Sequence, residues 1–145
     1  MSSPTASSPW FVNPEPRWEA TWRLIGFPHG GGGPQAFREW PKHLGEVVEM
    51  LAVHLPGRGS RLADPVIDDI DDLVESIVEA MTQCFDKPFA FIGHSVGALV
   101  AYEVARRLAE LIPSAQLRIL EGQRHCPHLE STEALEAVEE LLAAD

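Results

Sequence analysis

Cysteine, basic side chains and long apolar runs are all scarce in this 145-residue sequence. The two cysteines, Cys84 and Cys126, lie far apart and form no CxxC pair. That spacing argues against a disulfide framework and fits a reducing, cytoplasmic address. No apolar stretch approaches the ~18 residues that a membrane-crossing helix needs; the best candidate, Ala98 to Ala101, is far too short. The opening residues, Met1 to Pro9, hold neither a basic nor an apolar stretch and so do not read as a secretory signal. Eleven bases face 22 acids, a net charge of −11. Without a basic stripe, nucleic acid is not an expected partner. The acids are unevenly placed: Asp64 to Asp86 carries eight and Glu130 to Asp145 six, with no base in either run. Solvated helix faces explain both runs. The bases left over include Arg17, Arg58, Arg61, Arg106 and Arg107, and an acidic partner for them is the alternative.

What is present suits one soluble domain, since domains typically run about 100–200 residues. The expected layout is a disordered tail over residues 1–9 and a single domain over 10–145. Short apolar runs alternate with longer amphipathic ones, a pattern of βα units around a mostly parallel sheet. Arg23–Phe27 reads as a strand, Gln35–Leu44 as a short helix and Val47–Leu55 as a second strand ended by Pro56-Gly57. Ile70, Leu73, Val74, Ile77, Val78, Met81 and Phe85 form one helical stripe, with Asp68, Asp69, Asp71 and Asp72 where a helix N-terminus favours carboxylates. Phe89–Ile92 reads as a buried strand, Val96–Leu111 as a helix, Leu117–Leu120 as a fourth strand and Thr132–Ala143 as a last helix. The fold class is α/β: three layers, with about four strands flanked by helices.

Gly93-His94-Ser95-Val96-Gly97 falls between a strand and a helix. This G-x-S-x-G pattern is a sign of chemistry only in that context, where a sharp strand-to-helix turn presents the serine hydroxyl at the carboxyl end of a sheet. Ser95 is the candidate nucleophile, and the Val96 N–H at the helix start is a candidate oxyanion donor. The second donor should come from a loop after an earlier strand. His29-Gly30-Gly31-Gly32-Gly33 follows Arg23–Phe27, and Gly30 is assigned that role. His29 reads as a loop-ordering residue, and His43 and His54 as structural or surface residues.

The general base should follow a late strand. His125 lies just after Leu117–Leu120 and the turn at Gly122, with His128 in the same loop as its rival. A metal site at His125-Cys126-Pro127-His128 lacks further ligands for four-coordination, so neither a metal nor a cofactor is expected.

Several motifs in order carry a family resemblance: Trp10-Phe11, Phe27 to Gly32, Phe37 to Pro41, Leu55-Pro56-Gly57-Arg58-Gly59-Ser60-Arg61 and Pro88 to Leu99. Over Trp10 to about Leu108 the sequence resembles the type II thioesterases, α/β-hydrolases of polyketide and nonribosomal peptide assembly lines. The resemblance implies Ser95 as nucleophile, Gly30 and Val96 as oxyanion donors, and hydrolysis of acyl groups from the phosphopantetheine thioesters of acyl or peptidyl carrier proteins. Gly30 stands where that family commonly has alanine. The sequence departs from the family after Leu108: it passes through Ile112 into what resembles a final strand region, without the usual lid and late strands. Only 30 residues separate Ser95 from His125, and no triad acid can be assigned between them. A non-catalytic carrier-binding remnant and a generic small esterase are the alternatives. A sheet edge exposed by the missing strands would invite self-association.

Overall fold

The computed structural model describes residues 8–112. Residues 1–7 of the expected tail lie outside this range, and so do Leu117–Leu120, His125, Cys126, His128 and Thr132–Ala143. Ser8, which the sequence reading placed in the tail, is buried and accepts a hydrogen bond from the Trp10 N–H at 3.3 Å.

Four strands form one sheet: β1 (Phe11–Val12), β2 (Trp22–Phe27), β3 (Val48–Val53) and β4 (Phe89–Gly93). Their spatial order is β1-β3-β2-β4, with β1 antiparallel and the other pairs parallel. Two helices, α1 (Ile70–Met81) and α2 (Val96–Leu111), complete the regular structure. β2 and β3 are central and buried along almost their whole length, which accounts for near-continuous apolar runs such as Met50–Val53.

Pleat alternation sorts the strand residues into two cores. Ile25, Phe27, Leu51 and Val53 face α1 and α2, where Leu73, Ile77, Met81, Val100, Val104 and Leu108 meet them. Leu24, Val48, Met50, Ala52 and Ala90 face the opposite way, onto Phe37 and Trp40. Those two rings meet edge to face, with centroids 5.6 Å apart. Gly26 permits this layer, because a β-carbon there would come within 2.8 Å of the Phe37 ring.

The helix expected over Gln35–Leu44 is instead two separate 3₁₀ turns, Pro34–Phe37 and Trp40–Lys42. Each has a proline at its start, and Pro41 has no N–H to extend a helix from the first turn. α1 follows its apolar stripe but ends at Met81, giving way to a 3₁₀ turn over Thr82–Cys84. Its cap is Asp69, whose carboxylate accepts from the Asp71 and Asp72 N–H groups at 2.9 and 3.0 Å. The two-residue strand β1 was not expected; its length gives no periodicity to read. β4 is half-buried rather than buried, since among the described residues no strand flanks its outer edge.

The end of the sheet opposite Ser95 holds a buried charge cluster. Arg23 and Glu49 are opposite each other in the β2–β3 register, and both side chains are 2% exposed. Arg23 donates to Glu49 Oε2 at 3.1 Å, to the Cys84 carbonyl at 3.1 Å and to Asp86 at 2.5 Å. Asn13 donates to Glu49 Oε1 at 2.7 Å. Burial alone would lower the Arg23 pKa, but the hydrogen bonds and charges of Asp86 and Glu49 outweigh it and raise the value. The Arg23 hydrogen bond holds the Asp86 carboxyl below its usual range. The neighbouring Cys84 thiol is pushed up to about 11 by burial, which leaves it a neutral packing group.

Arg23→Met strands the Glu49 carboxylate in the core and should cost about 3–5 kcal/mol in urea unfolding, whereas Arg23→Met with Glu49→Met should recover much of that loss. Asp86 contributes stability that is complete above its unfolded pKa of about 3.9 and is lost as pH falls through its lower folded value. Asp86→Asn should therefore flatten the acid limb of a stability-against-pH curve below about pH 4 and leave the neutral region less stable.

Candidate active site

β4 ends at Gly93 and α2 begins at Val96, so the chain reverses within His94 and Ser95. Ser95 has φ 57° and ψ −121°, and it is the sole non-glycine residue with positive φ among those described. An L-residue held there stores strain on the order of 1–3 kcal/mol, which surrounding packing must sustain. Both flanking glycines are sterically required. A β-carbon on Gly93 would lie 2.5 Å from Ala98 Cα, and one on Gly97 would lie 2.1 Å from the Phe27 carbonyl oxygen. The turn is closed by Gly97 N–H to the His94 carbonyl and Ala98 N–H to the Ser95 carbonyl, each 2.9 Å. The His94 N–H donates to the Phe27 carbonyl at 3.2 Å, tying the turn to the end of β2.

The glycine loop leaves that same end of β2. A β-carbon built on Gly30 would sit 3.5 Å from Val96 Cγ2, an ordinary contact that alanine could make. Gly30 and Val96 are thus neighbours beside Ser95, as the sequence reading required. Their N–H groups donate to no acceptor among the described residues: Val96 stands in the first helical turn, where intrahelical partners are lacking, and Gly30 lies in a loop. The His29 ring packs against Gly32 and lies 5.3 Å from the His94 ring, consistent with a loop-ordering role.

A second loop, after β3, braces the glycine run. Arg58 Nη1 reaches the Gly32 carbonyl at 3.3 Å and the His29 carbonyl at 3.5 Å. His54 is buried and structural, with Nε2 3.1 Å from the Arg58 carbonyl, while His43 is exposed. Arg61 donates to the His54 carbonyl and to Asp64, each at 2.7 Å, and lies over the Trp10 ring at 4.6 Å. Arg17, Arg106 and Arg107 are likewise engaged, with Glu15, Glu103, and Glu75 plus Glu110. The five arginines named above as the alternative site for an acidic partner thus have partners within the fold. The role of Arg58 was not legible from sequence beyond its place in Leu55–Arg61, because a side chain bonding a distant carbonyl leaves no local pattern.

A shallow groove between α1 and α2, lined by Glu75, Glu103, Arg106, Arg107 and Glu110, lies two turns or more along α2 from Ser95. Its charges pair with one another, and it is not part of this site. Among the described residues no group of three or more acidic, histidine or cysteine side chains is placed to hold a metal, and no helix is long and apolar enough to cross a membrane.

Ser95→Gly should be more stable than Ser95→Ala by about 1 kcal/mol in chemical denaturation, since only glycine relieves the φ strain. Gly97→Ala should fail to give a cooperatively folded chain, because its methyl group collides with the end of β2.

Comparison with known proteins agrees with this geometry. A thioesterase domain model matches residues 22–144. Linear gramicidin dehydrogenase LgrE of Brevibacillus parabrevis is 36% identical over 122 residues, covering 84% of this chain and 46% of the relative. Gramicidin S biosynthesis protein GrsT of Aneurinibacillus migulanus is 34% identical over 120 residues, covering 83% and 47%. The structure of BorB, a type II thioesterase from the borrelidin biosynthetic cluster, superposes with a TM-score of 0.66 at 32% identity, covering 70% of this chain and 42% of BorB. The chain therefore spans about half the length of the curated relatives it matches. With a sheet and strand-to-helix turn of the α/β-hydrolase kind and a match from Trp22 onward, it belongs to the thioesterase-domain family.

Proposed function

We propose that this protein is a serine thioesterase that hydrolyses acyl groups from the phosphopantetheine thioesters of acyl or peptidyl carrier proteins. The observation that carries this reading is the strained Ser95 at the β4–α2 turn with Gly30 seated against Val96. Ser95 Oγ attacks the thioester carbonyl and His125, acting as base, takes the hydroxyl proton. The carbonyl oxygen becomes an oxyanion facing the Gly30 and Val96 N–H groups. Collapse of the tetrahedral adduct breaks the C–S bond, and the pantetheine sulfur leaves with the proton from His125. Water, deprotonated by His125, then attacks the acyl-enzyme, and the carboxylic acid departs as Ser95 Oγ regains its proton. No step needs a metal or cofactor. The free, buried Cys84 fits the cytoplasm, where such carrier proteins work.

The unassigned triad acid between Ser95 and His125 favours a second reading. In it the protein binds carrier proteins without turning over their acyl groups. Under either reading the outer edge of β4, unpaired among the described residues, can join two copies. Light scattering should then show mass rising with concentration, and a constant monomer mass would remove that part of the proposal.

The deciding experiment is hydrolysis of short acyl-N-acetylcysteamine thioesters and matched oxyesters. The wild type should turn over the thioester faster than the oxyester. Ser95→Ala should abolish turnover, and His125→Ala should lower it by about 10²–10⁴-fold. A folded wild type without turnover that still binds an acyl-carrier protein would establish the second reading.

A further inference from the structure

We propose that Arg58 is a positioning residue for the oxyanion hole, acting through the His29–Gly30 peptide group. This rests on the reading of Ser95 as a nucleophile and adds to it a residue outside both the G-x-S-x-G turn and the glycine loop.

The argument begins with the peptide unit. No cis peptide bond occurs among the described residues, so the His29 carbonyl and the Gly30 N–H belong to one planar trans group and point in opposite directions. Whatever holds the carbonyl therefore aims the N–H. The His29 oxygen accepts from the Gly32 N–H at 2.9 Å and from Arg58 Nη1 at 3.5 Å, and the same Nη1 reaches the Gly32 oxygen at 3.3 Å. One guanidinium nitrogen thus bridges the two carbonyls that bracket Gly30 and Gly31.

This brace answers a weakness of the loop itself. Four successive glycines, Gly30 to Gly33, offer no side chain to fix their dihedrals, and Gly31 sits at φ 76°. An oxyanion hole works because its donors are already aimed before charge develops, so a freely turning Gly30 would forfeit most of its effect. The bonds from Arg58 are long, but they carry a full charge to two oxygens. A cation at the carbonyl end of a peptide also polarises its N–H, which strengthens the donor on the opposite side.

Arg58 is itself held. Its carbonyl takes the Arg61 N–H at 2.8 Å and lies 3.1 Å from His54 Nε2, which donates in the matching tautomer. The flanking Gly57 and Gly59 have φ of 81° and 50°, conformations that let the loop fold back under the glycine run. His54 in turn is fixed by its N–H to the Trp10 carbonyl at 2.7 Å and by Arg61 on its own carbonyl. A continuous line of contacts runs from Trp10 through Arg61, His54 and Arg58 to the peptide whose N–H faces the reacting carbonyl.

The test uses the full chain with Arg58→Gln and Arg58→Lys, beside wild type and Ser95→Ala. Labelling by a fluorophosphonate reads the reactivity of Ser95, and acyl-N-acetylcysteamine hydrolysis separates kcat from KM. Binding is compared for a boronic acid, which forms a tetrahedral anion on the serine, and for a non-hydrolysable amide analogue of the ground state. Arg58→Gln should lower labelling rate, kcat and boronic-acid affinity about 10–100-fold, somewhat less than losing a donor outright, with KM and amide affinity within about twofold. Arg58→Lys should restore much of the loss, because an ammonium can reach the same carbonyls. Circular dichroism melts show whether each variant is folded; should Arg58→Gln not fold, Arg58→Lys and Arg58→Met carry the same comparison. Labelling and boronic-acid binding equal to wild type in a folded Arg58→Gln would overturn the proposal while leaving Ser95 as the nucleophile. Equal losses for the amide and the boronic acid would overturn it too, by making Arg58 a general structural support. A folded wild type that fluorophosphonate does not label would overturn the proposal and the nucleophile reading together.

Discussion

The site depends on one close approach, that of the α2 N-terminus to the carboxyl end of β2. At Gly97 the helix backbone comes so near the Phe27 and Pro28 carbonyls that a β-carbon would lie 2.1 and 2.4 Å from their oxygens. Only glycine permits that separation, and several features follow from it. The first helical turn is seated beside the start of the glycine loop, so Val96 and Gly30 become neighbours although 66 positions apart in sequence. The β4–α2 reversal must also be completed within two residues, which drives Ser95 to positive φ. The strain at Ser95 is therefore a geometric consequence of how tightly strand and helix are joined. Packing of Val100, Val104 and Leu108 against the sheet sustains it.

The opposite end of the sheet is built on another principle. There Arg23 and Glu49 are withdrawn from water in paired register, with Asp86 and the Cys84 carbonyl completing the coordination of the guanidinium. A buried ion pair is a weak source of net stability, because desolvation offsets most of the attraction. Its effect here is specification: Arg23 joins β2, β3 and the loop entering β4. A one-residue slip of any of them would bury a charge without its partner. Register at the floor of the sheet thereby fixes where β2 and β4 end at the top, and so how Phe27 meets Gly97.

Elements with their own period were legible in the sequence. The stripe from Ile70 to Met81 gave α1, and Val96–Leu111 was read to the residue. The glycine spacing of Gly93-x-Ser95-x-Gly97 reports a steric demand that the structure confirms atom by atom. Legibility failed where the cause lay outside the segment. Gln35–Leu44 contains helix-compatible residues, but Pro41 and docking of Phe37 and Trp40 onto the sheet divide it into two short turns. β1 exists because β3 has a free edge, and a two-residue strand carries no signal of its own. The half-burial of β4 similarly depends on what stands beside it, whereas its apolar sequence suggested full burial. Gly30 and Ser95 were readable as candidates because their neighbours in sequence are part of the motif; Arg58 was not, because its partners are carbonyls 26 and 29 residues away.

The parts of the site lie in the chain very unequally. The proposed nucleophile Ser95, the proposed oxyanion donors Gly30 and Val96, the Arg58 loop and the packing that strains the serine all fall between Trp10 and Leu108. The proposed base lies beyond Ile112. This division matters because the contributions to acyl transfer are separable: in serine hydrolases stripped of triad members, the oxyanion hole and substrate binding alone retain about 10³–10⁴-fold acceleration over water. That portion needs only aimed N–H groups in a site that does not have to reorganise as charge develops. Under the proposed reading that portion is complete within the described residues, since every residue assigned to it is anchored to β2, β3, β4 or α2. Proton transfer, under the same reading, falls to His125. A general base acts only within hydrogen-bond reach of the hydroxyl it deprotonates, directly or through one water. Under the proposed reading, turnover therefore depends on whether His125 reaches Ser95 Oγ, while the β2–α2 junction holds the Gly30 and Val96 N–H groups in place either way.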